Sequence, residues 1–238
     1  MTTDGDRRHA EGEGPTESDV ARGGVDDGND VVPERAREAV DDDTIAAVAE
    51  GVPDWDDAFL DRVSGRLMFN YDLSKDRRVR GETWDLYGRM RIENQKQFLH
   101  RSINYANHRV EEHLFARRVR GVRRTDLDRL ADLGHDLADE WIDADEEHQG
   151  TEFTFVLVAP EIPDDVRETV ASFSDRTLLK FGYYGHYEVN LVVVAPEREE
   201  LVASPNADVG RAFALWQDPG EESSSGGLLA RLTRALRR

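Results

Sequence analysis

Val156-Leu157-Val158-Ala159-Pro160-Glu161 and Val192-Val193-Val194-Ala195-Pro196-Glu197 are nearly the same phrase written twice. Each is an apolar run with no polar alternation, so neither segment can keep one face in water. Strands over 153–159 and 188–195 are therefore expected in the middle of a sheet, covered on both sides. Proline has no N–H to give to a ladder, so each Ala-Pro step marks a strand exit.

Working outward from these strands, the pattern switches between periods of two and 3.6. Residues 83–92 alternate, with Trp84, Leu86, Gly88, Met90 and Ile92 inward and Asp85, Tyr87, Arg89 and Arg91 outward. Residues 67–73 alternate as well, through Leu67, Phe69, Tyr71 and Leu73, and 74–82 reads as a charged turn. Together they predict an antiparallel hairpin with one wet face. A further strand is expected over 112–120, and 103–110 fits a short strand less clearly.

Helices are expected where apolar residues recur at core spacing. One is capped by Asp54 and carries Trp55, Phe59, Leu60 and Val63. A second opens at Thr125, with Asp128 in a capping-box position, and carries Leu127, Leu130, Ala131, Gly134, Leu137, Ala138 and Trp141. Others are expected over 163–173 and 205–216, with a strand over 177–181 and the loop 182–186 between them. The fold class is α+β: a single domain over 53–217 with a mixed, largely antiparallel sheet flanked by helices. Residues 1–52 read as an acidic disordered tail with a weak helix over 33–50. Residues 218–238 read as a Gly/Ser linker followed by a basic amphipathic helix.

Composition narrows the function classes. The formal charge is −19 over 238 residues, and of 31 cationic side chains only Lys75, Lys96 and Lys180 are lysines. Dense carboxylates with arginine in place of lysine suit a protein that must hold water at its surface in concentrated salt, a matter of solubility rather than of fold. The absence of cysteine excludes disulfides and thiolate chemistry. No apolar stretch reaches the length of a membrane span, and the N-terminus is too polar for a signal peptide, so a cytoplasmic location is expected.

The runs Leu86-Tyr87-Gly88-Arg89-Met90, Glu146-Glu147-His148, Ala159-Pro160-Glu161-Ile162-Pro163-Asp164-Asp165-Val166 and Gly182-Tyr183-Tyr184-Gly185-His186-Tyr187-Glu188-Val189-Asn190 resemble a family of uncharacterised haloarchaeal proteins with distant bacterial relatives. The resemblance covers 53–216. It implies a salt-adapted protein and brings no activity with it.

Five features bear on chemistry. From Lys75 to Arg124 there are 14 cationic and 6 acidic residues, a reversal inside an acidic chain. Arg89, Arg91, Arg117, Arg118 and Arg120 are the candidate anion- or nucleic-acid-binding face, with Tyr87 beside them. The alternative is ion pairing with the acidic face of the 125–147 helix. Second, the order helix, three strands, helix, strand resembles the core of the PD-(D/E)xK nucleases. That resemblance implies a divalent metal held by Asp85 and Glu112, but Glu112-His113-Leu114 lacks the lysine the family requires, and Arg117 or Lys96 would have to replace it. Third, His135 with Asp139, Glu147 with His148, and His100, His108, His113 and His186 form a pool for a histidine–carboxylate metal site. No tight ligand motif supports one, and solvated side chains are the expectation. Fourth, the 182–187 loop is either a tyrosine-rich turn or a pocket wall with His186 as acid or base. Fifth, Leu228, Leu232 and Leu236 against Arg231 and Arg234 read as an anchor for an anionic membrane surface or an acidic partner, or as a segment folding back on the body. Asp85, Glu112, Glu147, His148 and His186 are the candidate catalytic residues. No cofactor motif is identified, and a binding or regulatory module is preferred to an enzyme.

Overall fold

The structure is a computed structural model that describes residues 51–94 and 108–217. The expected acidic tail, its weak helix over 33–50, residues 103–107 of the 103–110 segment, and the C-terminal linker and helix lie outside the described residues, while 108–110 belong to a strand as expected. In chain order the elements are α1 (Ala58–Leu67), β1 (Asp72–Val79), β2 (Glu82–Asn94), β3 (His108–Arg118), α2 (Arg124–Trp141), β4 (His148–Val158), α3 (Asp164–Ser172), β5 (Asp175–Leu178), β6 (His186–Ala195) and β7 (Glu200–Ala203). Short 3-10 turns occupy Leu179–Gly182, Pro196–Arg198 and Asp208–Phe213.

The two apolar stretches lie where their composition requires. The sheet runs β1-β2-β3-β4-β6-β5, and β7 also pairs with β6. β4 joins β3 and β6 in parallel, while the other four pairings are antiparallel. Val156, Leu157, Val158, Val192, Val193 and Val194 are all buried. Odd and even positions serve two separate cores. Phe153, Phe155, Leu157, Val189, Leu191 and Val193 pack with α2 and α3 on the first face. Val156, Val158, Val192 and Val194 pack with α1 and Phe213 on the second. The result is one mixed sheet with helices over both faces.

Local chemistry fixes the helix starts. The Asp57 carboxylate accepts from Phe59 N at 2.9 Å and Leu60 N at 3.2 Å, so it caps α1. Asp126 accepts from Arg123 N at 2.9 Å at the start of α2. Gly134 lets α2 approach β6, since a Cβ there would stand 2.6 Å from Val189 Cγ2.

Several expectations are corrected. Asp57, not Asp54, caps the first helix, and α2 begins at Arg124 rather than Thr125. Residues 67–73 are mostly not a strand: Leu67 closes α1 and is buried there, Phe69 is 48% exposed in the turn, and beyond the helix only Tyr71 and Leu73 turn inward. Alternating apolar residues at a helix exit mimic a strand over so short a length. The strand is instead most of the charged "turn": β1 is an edge, where charged side chains discourage further pairing. The true turn is Arg80-Gly81, with φ of 47° and 86°. Tyr87 is buried, not outward, because alternation changes phase at Asp85. Trp84 and Tyr87 share the first core while Leu86 faces the second. β5 stops at Leu178, β7 was not expected, and the last helix is a 3-10 turn that still buries Phe213.

Candidate functional site

β3 carries Arg109, Glu111 and His113 two residues apart, so all three project onto the first face. β2 runs antiparallel beside it, with Arg91 opposite Glu111 and Arg89 opposite His113. Three guanidiniums therefore converge on one carboxylate. Arg89 Nη2 lies 3.0 Å from Glu111 Oε2, Arg91 Nη2 3.1 Å from Oε1, and Arg109 Nε 3.8 Å from Oε1. Burial alone would raise the Glu111 carboxyl, but the Arg89 hydrogen bond and the neighbouring positive charges hold it below its ordinary value. A fourth guanidinium, Arg77, stands over the Tyr87 ring at 5.3 Å. Arg109 also meets Asp145 at 3.5 Å. Four cations thus face two carboxylates, while the Arg77, Arg89 and Arg91 residues remain exposed.

Behind this patch sits a buried polar chain. The Tyr87 hydroxyl lies 2.9 Å from His113 Nδ1, and His113 Nε2 points toward Glu111 Oε2 at 3.7 Å. A carboxylate only accepts, so the favoured tautomer carries its proton on Nε2 and takes the Tyr87 O–H at Nδ1. The ring stacks on Phe153 at 5.2 Å and meets Trp141 edge-on at 5.0 Å. Burial pushes His113 down to about 4 and outweighs the pull of Glu111. Burial likewise raises Tyr87, against the opposing pull of Arg77 and Arg89.

The same grammar recurs between α2 and β6. The Tyr187 hydroxyl lies 2.8 Å from His135 Nδ1, and His135 Nε2 lies 3.0 Å from Asp175 Oδ2. His135 is paired with this carboxylate on β5 rather than with Asp139, its expected neighbour one helical turn away.

The other expected residues fall in separate places. Arg117 and Arg118 stand at the far end of β3 from Glu111, six and seven residues along the strand or roughly 20 Å. Arg117 pairs with Glu82, its guanidinium 4.5 Å over Trp84. Arg118 pairs with Asp57, and Arg120 is exposed in the loop that follows. The five arginines are not one surface.

Asp85 and Glu112 are likewise apart. Asp85 holds the strand's phase change: its carbonyl accepts from Trp55 Nε1 at 2.7 Å and its carboxylate from Arg118 N at 2.7 Å. Glu112 is buried opposite Met90, also some six residues, or about 20 Å, from Arg118. They cannot share an ion at ligand distances of about 2.0–2.6 Å. Among the described residues, no three His, Asp or Glu side chains are grouped so as to hold a metal.

Glu112 instead stands in register with Glu152 and Glu188 across β3, β4 and β6 on the second face. Asn190 Nδ2 reaches Glu152 at 3.4 Å, and Asn206 Nδ2 reaches Glu188 at 3.0 Å. His186 Nε2 lies 3.5 Å from Glu188 Oε1, and burial pushes that imidazole down to about 4, helped by Arg176 and His148. Glu147 is exposed. His148 is buried: Nδ1 donates to the Tyr184 carbonyl at 2.7 Å, and Nε2 takes the Thr151 hydroxyl at 2.8 Å.

Arg77, Arg109 and Glu111 were missed as site residues. Their signal was the period-two spacing Arg109-x-Glu111-x-His113, which places a cation, an anion and an imidazole on one strand face.

A family model described as a domain of unknown function (DUF8052) matches residues 56–215, and the chain belongs to that family. No curated protein and no solved structure matches it. No helix among the described residues is long and apolar enough to cross a membrane.

Proposed function

We propose that this member of the DUF8052 family is a binding module whose ligand is a phosphorylated, multiply anionic molecule held by Arg77, Arg89, Arg91 and Arg109. The observation that carries this is the convergence of Arg89, Arg91 and Arg109 on the single carboxylate of Glu111. Each guanidinium has about five N–H donors in a planar fork suited to phosphate, and one carboxylate engages only a few of them. Glu111 acts as an internal stand-in that keeps the three forks mutually aligned. Tyr87 is 8% exposed, so its ring cannot stack on a base. Recognition therefore rests on charge and geometry rather than on nucleobase identity.

The setting is a salt-adapted, cytoplasmic protein with its domain over 53–217. A net charge of −19 with 3 lysines among 31 cations supports this. In molar salt the Debye length is about 3 Å, so only direct contacts survive. A preassembled cluster of forks suits that regime better than a diffuse basic surface.

Calorimetry with inorganic pyrophosphate, and anisotropy of labelled single-stranded DNA and RNA, both in high potassium chloride, test the proposal. Saturable pyrophosphate binding is expected, weakened at least tenfold by Arg89→Glu with Arg91→Glu. Nucleic acid is expected to bind without sequence preference and to be displaced by pyrophosphate. Binding unchanged in the double variant overturns the assignment.

A further inference from the structure

The segment between β5 and β6 presents aromatic rings to water. Phe181 is 96% exposed and Tyr183 84%. Single exposed apolar residues are ordinary, but several clustered on one short segment mark a recognition site. With Tyr184, Glu146 and Lys180 these rings bound an open depression of about 580 Å³.

The backbone is built to hold them there. Lys180 and Phe181 take left-handed φ of 46° and 59°, which non-glycine residues adopt rarely and mostly where function requires it. Leu179 N donates to Gly185 O at 3.0 Å and Tyr184 N to Leu179 O at 3.3 Å, closing the loop on itself. His148 Nδ1 ties the Tyr184 carbonyl to the start of β4 at 2.7 Å. Gly185, at φ 73°, packs so closely that a Cβ would lie 2.2 Å from Gln149 O. A segment pinned at both ends and strained at its tip fixes the backbone from which these side chains project.

The chemistry of the lining selects the ligand. The π faces of Phe181, Tyr183 and Tyr184 attract a diffuse cation, and the Glu146 carboxylate adds a full negative charge. A bare ammonium or metal ion would have to give up strong hydration, whereas a methylated ammonium is weakly hydrated and buries its methyl groups against the rings. Lys180 would repel a simple cation at the same place, so the ligand must bring a negative group to meet it. We propose that this depression binds a small zwitterion carrying a trimethylammonium head, seated among Phe181, Tyr183, Tyr184 and Glu146, and a carboxylate facing Lys180. The site shares no lining residue with the arginine cluster.

Titration of the full chain, followed by saturation-transfer NMR and calorimetry, tests it with trimethylglycine, tetramethylammonium chloride, a trimethyl-lysine peptide and the neutral isostere 3,3-dimethylbutan-1-ol. Trimethylglycine is expected to bind saturably in the millimolar range. Phe181→Ala or Tyr183→Ala, both exposed and harmless to folding, should weaken it about tenfold, and Glu146→Gln severalfold. Tetramethylammonium should bind more weakly than trimethylglycine, and Lys180→Met should abolish that difference. Three results overturn the proposal. One is no saturable binding of trimethylglycine. Another is equal affinity for the neutral isostere. The third is a peptide that binds more tightly than trimethylglycine and is indifferent to Lys180→Met, which would make the loop a reader of methylated protein instead.

Discussion

Tyr87–His113–Glu111 and Tyr187–His135–Asp175 are built from the same three parts in the same order, yet the molecule uses them differently. The His113 side chain is 6% exposed, and its carboxylate is drawn off by three arginines, leaving 3.7 Å between ring and oxygen. The His135 side chain is 40% exposed and meets Asp175 at 3.0 Å. The shorter contact is nevertheless the weaker device. A polar contact open to water gains about 0–1 kcal/mol, because hydration competes with it. The buried Tyr87–His113 pair has no such competitor, so losing either side chain leaves the other with a full desolvation penalty. Surroundings, not the side-chain recipe, determine what a hydrogen-bonded chain is worth.

The sharpest way to break the comparison is to delete each imidazole. His113→Ala removes a ring packed on Phe153 and Trp141 and strands the Tyr87 hydroxyl. It should cost about 3–4 kcal/mol in urea unfolding. His135→Ala should cost about 1 kcal/mol. Equal losses would erase the distinction drawn above.

Acid titration comes next. His113 falls from an ordinary 6.5 to about 4 on folding. Between those values the unfolded chain binds more protons than the folded one, so stability rises with pH and is lost as pH drops from 6.5 toward 4. For His113 the full loss is roughly 3 kcal/mol. His186 acts with the same sign in the same window. In a Tyr87→Phe, His113→Phe double variant the slope over that window should be about halved, measured by denaturation midpoints against pH. A slope identical to that of the parent would mean His113 is not held neutral.

A smaller effect separates the triplets by geometry. Gly134→Ala places a methyl group against Val189 and lifts α2 from β6, at about 1–3 kcal/mol. It should lengthen the His135–Tyr187 contact next to it, and shift the His113 ring signals in NMR spectra less, because Trp141 meets that ring two helical turns further along α2. Smallest of all, Tyr187→Phe should cost about 1 kcal/mol and Asp175→Asn less than that, read from thermal midpoints.

How much of this was legible beforehand follows from what each residue type can say alone. The valine-rich centres of β4 and β6 were legible because a fully apolar run has one solution, the middle of a covered sheet. β1 was not, because Lys75, Arg77 and Arg78 are ordinary in a turn and equally ordinary on a protected edge. Tyr87 was assigned outward from strict alternation, which a single phase change at Asp85 defeats. The arginine patch was visible as a charge reversal. Its division into a cluster around Glu111 and a pair at the other end of β3 depends on strand register, which the local pattern does not fix. Glu112, Glu152 and Glu188 belong to three strands brought into line only by tertiary pairing. The loop with Phe181 and Tyr183 was noticed for its glycines, while its left-handed Lys180 and Phe181 left no mark in the sequence.

One detail of β6 reaches further than its size suggests. Its outer edge is shared end to end by β5, opposite 186–189, and β7, opposite 192–195. At the seam, Ser204 Oγ accepts from Leu191 N at 3.0 Å, and Ser204 N donates to Leu191 O at 2.9 Å. A side-chain hydroxyl thus stands in for a missing rung. The border of the sheet is consequently two separate four-residue strands with a serine at the seam, rather than one continuous rail. Neither is long enough to offer a newcomer many rungs to climb on.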